Sequence, residues 1–438
     1  MKILLLDVYP IKNYRLIKDT NGSYGTGNDF GDSLLCKILK KLSKKNLFWP
    51  TISTGYCLSV LKKLGHDVQY SNEVIEGFDI YILISSIISH NLEISTVKKI
   101  KKFCNNILAI GTFAANNPTE YINNSCSVIF NEPEFYFMEK GITSINFQKP
   151  QLIVSNDLNS NVNELPFPAW DYFLERGLLS YGLLKRKVSV PILATRGCPY
   201  SCSHYCVYPL SQGKKIRSRD PLNIVKEIEY WNKTHKVENF VFRDPVFSIN
   251  KKHTLELCNL IIKKKLKFQF VVETHLNNLD DEIIGILKKS GMNMVKVGIE
   301  SHDENVLDAS KRKSIPSDLQ MEKIRKLEKN KIKVVTMYII GMIGDNKKRA
   351  RATLNYAKKL NTFISQISIF TPYPGTPVFQ EYQSKITEKN FENFNQYNLV
   401  FEHEEYDNKL ARRTLEKFYS NYYLRISWIM KFIKQSLY

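Results

Sequence analysis

The sequence predicts an α/β protein: an open Rossmann-like domain first, a partial TIM-like (β/α)6 barrel second, and a helical tail last. Three observations predict it. Strand and helix patterns alternate through two long stretches. A proline-bearing segment separates those stretches. The chain, at 438 residues, is also too long for one ordinary core. Alternation of this kind calls for parallel strands covered by helices on both faces. The expected divisions are residues 1–150, an extended connector over 151–187, the barrel over 188–400 and a helical extension over 401–438.

Each element has its own signal. Ile3–Val8 reads as a strand. Ser53–Leu64 reads as an amphipathic helix closed by Gly65, with a new strand after it. Asp79–Ser85 is an apolar strand, and Ile94–Phe103 a helix with lysines outward. Ile107–Gly111 and Ser127–Phe130 are further strands. The prolines of Leu165-Pro166-Phe167-Pro168-Ala169-Trp170 disfavour helix, and its aromatics should pin the connector to a domain surface. Strands resume at Val190–Thr195, Asn239–Phe242, Phe268–Glu273, Met294–Ile299, Lys333–Ile340 and Ile364–Phe370. Helices fit between them at Pro221–Trp231, Lys252–Lys264, Asp280–Lys289, Ser317–Lys329 and Lys347–Leu360. In both architectures ligands and chemistry belong at the carboxyl ends of the strands. The tail is basic and aromatic, with Phe418, Tyr419, Tyr422, Tyr423, Trp428 and Phe432. It reads as a helix packed on the barrel, the alternative being a helix lying on a membrane surface or over the substrate.

Composition narrows the class. Hydrophobic residues make up 43%, which excludes a disordered chain. No apolar stretch reaches the roughly 18 to 20 residues that cross a bilayer. Met1-Lys2-Ile3-Leu4-Leu5-Leu6-Asp7 meets an acid too early for a signal peptide, so a cytoplasmic location is expected. The net charge of +20 can attract nucleic acid, anionic lipid or an anionic small molecule. Most of it is lysine spread along helix faces, as a compositional bias would produce, and no nucleic-acid partner is expected. Of the eight cysteines, Cys36, Cys57, Cys104, Cys126 and Cys258 sit in apolar or helical patterns and read as buried thiols.

The other three cluster in Thr195-Arg196-Gly197-Cys198-Pro199-Tyr200-Ser201-Cys202-Ser203-His204-Tyr205-Cys206, directly after a barrel strand. In a reducing compartment such a cluster points to metal rather than to disulfides. Four thiolates would close a structural zinc or a ferredoxin-type cluster, whereas three leave one iron open for a substrate or cofactor. A zinc completed by His204 is the alternative. The segment resembles the signature of radical S-adenosylmethionine (SAM) enzymes, in which C-x3-C-x2-C holds a [4Fe-4S] cluster and SAM chelates the fourth iron. Here the spacing is C-x3-C-x3-C, with Ser203 or His204 as a one-residue insertion.

The resemblance implies a set of positions. Cys198, Cys202 and Cys206 would ligate the cluster. Tyr205 would lie against the adenine. Asp244, in Phe242-Arg243-Asp244-Pro245, would be near the SAM amino group. Glu300, in Val297-Gly298-Ile299-Glu300-Ser301, would meet its ribose or amino group. Gly341, in Tyr338-Ile339-Ile340-Gly341-Met342-Ile343-Gly344, would let the backbone approach SAM. Arg217-Ser218-Arg219 and Thr371-Pro372-Tyr373-Pro374-Gly375-Thr376-Pro377 are similar to further segments of that superfamily. The last of these is similar to the cobalamin-linked branch.

Placed before such a barrel, residues 1–150 resemble the cobalamin-binding domain of the class B branch, through Gly55-Tyr56-Cys57-Leu58, Leu64-Gly65-His66-Asp67-Val68, Ile110-Gly111 and Leu165-Pro166-Phe167-Pro168. Cobalamin would sit over the strand ends, between Val8–Pro10, Ser85–His90 and Gly111–Asn117. The Asp-x-His-x-x-Gly element of other cobalamin proteins is absent. Tyr24-Gly25-Thr26-Gly27-Asn28-Asp29-Phe30-Gly31 is glycine-rich enough for close backbone approach to a ligand. The expected function is a cobalamin-dependent radical SAM C-methyltransferase. It would cleave SAM to a 5′-deoxyadenosyl radical, act on a small-molecule or natural-product substrate, and draw on an external low-potential electron donor. A tRNA-type methylthiotransferase and a non-catalytic iron–sulfur protein are the alternatives.

Overall fold

The computed structural model describes residues 1–44, 49–156, 158–181 and 187–437. Parts of the expected connector, at 157 and 182–186, and the last tail residue, 438, lie outside them. The first sheet contains β1 (Lys2–Leu6), β2 (Asp67–Ser71), β3 (Ile80–Ile84), β4 (Ile107–Ile110), β5 (Ser127–Phe130) and β6 (Leu152–Val154). Their order is β2-β1-β3-β4-β5-β6, all parallel. Helices α1 (Ile52–Lys63), α2 (His90–Ile100) and α3 (Pro133–Lys140) cover it. β3 and β4 are buried along their whole length, as strands covered on both faces must be. β6 falls inside the segment read as connector. It is three residues long, Leu152-Ile153-Val154, with two of them exposed, an apolar run too short to mark a strand by itself.

The connector is pinned by Trp170, which is fully buried. Its indole Nε1 donates to Pro191 O at 2.9 Å, and the preceding Ala169 N donates to Gly55 O at 3.0 Å. Gly55 lies inside α1, where a Cβ would come within 2.5 Å of the Trp170 ring. The glycine therefore serves as the seat of the indole, and one side chain joins the first domain to the first barrel strand.

The barrel strands are β7 (Val190–Ile192), β8 (Asn239–Phe242), β9 (Gln269–Glu273), β10 (Met292–Glu300), β11 (Lys333–Ile340) and β12 (Ile364–Ile369). They pair in chain order and in parallel, and among the described residues no ladder joins β12 back to β7. Between them lie α4 (Pro221–His235), α5 (Lys251–Lys263), α6 (Asp281–Lys289), α7 (Ser317–Lys329) and α8 (Lys347–Leu360). Asp220, Asn250, Asp280 and Asn346 cap four of these helices through side-chain oxygens. The first expected strand, Val190–Thr195, is shorter than its apolar pattern. Thr195–Arg196 turns aside to pair antiparallel with Arg217–Ser218. In the tail, α9 (Asn408–Tyr423) buries Leu415, Phe418, Tyr419 and Tyr422. Tyr419 donates to Ile367 O at 3.0 Å and Tyr422 to Thr362 O at 2.7 Å. A final helix, α10 (Ile426–Ser436), follows.

Trp170→Ala should lower stability by about 3–5 kcal/mol, the cost of deleting a large buried side chain. Trp170→Phe should cost less, because it keeps most of the packing. Urea unfolding followed by circular dichroism measures both.

Candidate functional site

The antiparallel pair Thr195–Arg196 and Arg217–Ser218 closes a loop that carries all three clustered cysteines. Gly197 starts it with φ of +97°, and a Cβ there would lie 2.1 Å from Lys215 O, so only glycine fits. Cys198 N donates to Gly213 O at 3.0 Å, tying the two ends of the loop. Ser201–His204 then forms one 3-10 turn, and Cys206 N donates to Cys202 O at 2.8 Å. That i to i+4 bond absorbs the extra residue: one helical turn sets Cys202 and Cys206 on the same face.

The thiols feel one another. A hydrogen bond with Cys206 and the Arg312 guanidinium bring Cys202 down to about 7. The same bond, with burial, pushes Cys206 well up, and burial pushes Cys198 up to about 11. Among the described residues no three His, Cys, Asp or Glu side chains are close enough to hold a single metal ion. One tetrahedral zinc, at about 2.3 Å per thiolate, needs its sulfurs within roughly 4 Å of one another. A four-iron cube is bound at three corners, and three thiols on one loop supply that donor set. His204 does not complete a zinc site. Its Nε2 faces Glu381 at 3.3 Å.

Beside the loop stands an ion pair between the expected Glu300 and an arginine, Arg312, that the sequence does not single out. Arg312 Nη1 lies 3.2 Å from Glu300 Oε1, and its Nη2 donates to Gly298 O at 2.8 Å. Glu300 ends β10 at φ of 62°, just past a register shift against β11. The irregularity re-aims its side chain. Burial raises the Glu300 carboxyl against the lowering effect of Arg312. Arg312 stands between Lys311 and Lys313, so in sequence it merges with the general lysine excess. Tyr205 completes the group, with its ring 5.8 Å from that of Phe370 just past β12.

Two expected positions are otherwise engaged. Asp244 is buried, and its carboxylate accepts from Ala194 N at 3.1 Å, from Thr195 Oγ1 at 2.7 Å and from Thr195 N. Those bonds tie it to the strap that leads into the cysteine loop. Gly341 adopts φ of +69° after β11, and its N–H is already taken by Asp345 at 2.8 Å.

The cysteine loop is bolted to the first domain. Arg217 makes a two-pronged bond to Glu132, at 2.8 Å from each nitrogen. Arg196 reaches Glu132 and, at 2.7 Å, Glu134. All four side chains are buried. Against the raising effect of burial, Arg196 and Arg217 hold Glu132 below the usual carboxylate range. Beside this clamp lies a small cavity of about 70 Å³, between the carboxyl ends of β3–β5 and the cysteine loop. Ser85, Gly111, Thr112, Glu132, Arg196 and Gln212 are among its walls. Two of the three segments expected around cobalamin therefore border it, Ser85–His90 and Gly111–Asn117.

The third, Val8–Pro10, does not border it, and Lys18 is the reason. Fully buried, Lys18 donates to Ile84 O at 2.7 Å and Glu93 at 2.9 Å, and lies 3.0 Å from Asp7. The crevice between β1 and β3, where the strand order reverses and such sheets ordinarily bind ligands, is filled by that ammonium. Free volume is left over β3–β5 instead, and a cofactor held there would face the cysteine loop.

Comparison with known proteins agrees with this geometry. The model of the Radical SAM superfamily matches residues 192–357. The chain is 25% identical over 404 residues to an uncharacterized methyltransferase, PH0819, of Pyrococcus horikoshii, covering 85% of this chain and 86% of that one. It is 30% identical over 246 residues to the bacteriochlorophyllide d C-8(2)-methyltransferase of Chlorobaculum tepidum, covering 54% of each. Among solved structures, the cobalamin-dependent SAM radical enzyme OxsB, with aqua-cobalamin and SAM bound, superposes with a TM-score of 0.68 at 12% identity, over 94% of this chain and 65% of that one. The radical SAM methyltransferase TsrM of Kitasatospora setae, with tryptophan and a SAM analog bound, gives 0.64 at 12% identity, over 87% and 76%. These two likenesses establish the shared fold of both domains.

Glu132→Gln should leave the buried Arg217 without its anion and Arg196 with Glu134 alone, lowering stability by about 3–5 kcal/mol. The sign with pH follows from the lowered carboxyl. The contribution of Glu132 is present above the unfolded-state value of about 4.3 and is lost as pH falls through its lower folded value. Urea midpoints from neutral pH down to the acid range should therefore converge between wild type and variant.

Proposed function

We propose that this chain, which belongs to the radical SAM superfamily, is a cobalamin-dependent C-methyltransferase acting on a small molecule. One observation carries the reading. Three mutually interacting thiols sit on a single loop at the carboxyl end of an open six-stranded barrel, with the Glu300–Arg312 pair at their side and a cavity between the domains next to them. The methyltransferase relatives, and the fold shared with two enzymes solved with such cofactors or analogs, support methylation as the outcome.

When bound, a [4Fe-4S] cluster with one iron free of protein ligation supplies the low-potential electron that cleaves SAM at its sulfonium, and cobalamin supplies a methyl carrier. The residues supply the setting. Cys198, Cys202 and Cys206, as thiolates, hold the cluster. Arg312 places a half-buried positive charge beside Cys202, a counter-charge for a carboxylate such as that of SAM. Glu300, held by Arg312, is the acceptor for an amino or hydroxyl group, and the edge of Tyr205 with Phe370 is an apolar wall for a purine. Asp244 fixes the strap that sets the height of Cys198. Cys198, Glu300 and Phe370 are buried while Cys202, Tyr205, Cys206 and Arg312 are half-buried, and the lowered local dielectric strengthens these interactions. Cobalamin would lie against the strand ends of β3–β5, and the Arg196–Glu132–Arg217 clamp fixes the distance of those ends from the cysteine loop. An external low-potential donor completes the electron supply.

Anaerobically reconstituted protein should carry about four irons per chain and bind cobalamin. With reductant it should form 5′-deoxyadenosine, and the Cys198→Ala/Cys202→Ala/Cys206→Ala variant should form none. Zinc in place of iron, or equal turnover by that variant, overturns the reading. Arg312→Gln should weaken SAM cleavage roughly 10- to 100-fold, the loss of one or two charged hydrogen bonds, chiefly through KM. Asp244→Asn should instead reduce iron content, because it loosens the loop and touches no ligand. Iron analysis and SAM titration separate the two outcomes.

A further inference from the structure

We infer that the amino-terminal rim of the barrel is a docking surface for an anionic lipid membrane, with helix α10 as its apolar anchor. The helix has two apolar faces where a soluble helix needs one. Its inner face is occupied: Trp428 donates to Phe363 O at 3.1 Å, the Phe432 ring stacks on Phe363 at 5.1 Å, and Lys431 pairs with Glu328. Its outer face carries Ile426, Ile429, Met430 and Ile433, followed by Leu437, at the i, i+3, i+4, i+7 and i+11 spacing of one stripe. Their exposures are 79, 41, 63, 54 and 83%. Single exposed apolar residues are ordinary, but a continuous row of large ones is not.

The charge around that row fits the same partner. In a β/α succession every helix ends, and every following strand begins, at the same rim. Counting the last turn of each helix, each of the five connections at this rim bears at least two lysines, represented by Lys236, Lys265, Lys289, Lys331 and Lys359. Lysine near a helix carboxyl end is favoured by the helix dipole in any case. What distinguishes this rim is the crowding and the shortage of acids. Within those turns the acids are Glu238 and Glu328, and Glu328 is already paired. Burial and the nearby Lys331 lower Lys288, and burial with Lys187 and Lys288 lowers Lys333. Phe363, the seat of α10, directly precedes β12, so the apolar stripe emerges from this basic rim.

A second copy of the chain would bring lysine against lysine here. An anionic bilayer instead offers phosphate to the rim and hydrocarbon to the stripe, the geometry of an interfacial helix. No helix among the described residues is long and apolar enough to cross a membrane, so the contact is superficial. The cysteine loop lies at the opposite ends of the strands. Docking therefore holds the chain at the surface with its reaction face toward water.

The test is co-sedimentation of the full chain with phosphatidylglycerol/phosphatidylcholine vesicles and with pure phosphatidylcholine vesicles. The chain should pellet with the anionic vesicles alone, and less so as salt rises from about 0.1 M to about 1 M. The Ile426→Asp/Met430→Asp variant changes only exposed positions, so its thermal melting should match wild type while vesicle binding falls roughly tenfold or more. Lys331→Glu/Lys359→Glu should weaken anionic binding with the apolar stripe intact. Absence of binding to anionic vesicles, equal binding by the Ile426→Asp/Met430→Asp variant, or a wild-type dimer that the variant abolishes would each overturn the inference.

Discussion

The architecture turns on one carboxylate shared by two arginines. Glu132 follows the fifth strand of the first sheet, while Arg196 and Arg217 stand on the two arms that close the cysteine loop. A buried ion of either sign is costly alone, so neither domain can keep its share of this cluster without the other. The clamp converts a loop that would otherwise project from a barrel rim into a fixed partition between two domains. Arg243 and Asp19 repeat the device one strand over, at 2.8 Å. Tyr24 adds a third tie, with its ring 5.2 Å from that of Tyr373 beyond the last strand. The interface is thus polar where it must be specific and aromatic where it must exclude water.

Much of this was legible before any coordinates. Ser127–Phe130, Asn239–Phe242 and Lys333–Ile340 stand where their apolar patterns put them, because buried parallel strands announce themselves as short apolar runs between helix signals. The cysteine spacing was readable as a metal site, and its irregularity has a local cause that spacing alone could not reveal: the last two cysteines share a helical turn. Other features depend on distant partners and leave no periodic trace. Leu152–Val154 has a strand-forming composition but is only three residues long, and it is its pairing with Ser127–Phe130 that extends the sheet into the connector. Asp244 is drawn to the backbone of Ala194 and Thr195, fifty residues earlier, and Arg312 is drawn to a carboxylate on a neighbouring strand.

Lys18 explains why the first domain departs from the usual use of its topology. Asp7, Glu93 and the carbonyl of Ile84 surround its ammonium, and Tyr9, Tyr70 and Tyr121 extend the polar group through bonds to the same two carboxylates. A satisfied buried network of this size is rigid. It fixes the floor of the domain and leaves free volume only toward the partition.

The missing ladder between β12 and β7 has a mechanical meaning. A closed cylinder has a set circumference, and widening it must break backbone hydrogen bonds along a whole strand. Among the described residues this curved wall stays open at the seam, and the outer edge of β12 is bonded instead by Tyr419 and Tyr423 of α9. The tail helix thus takes the place of a neighbouring strand at that edge, satisfying its backbone and shielding it from pairing with another chain.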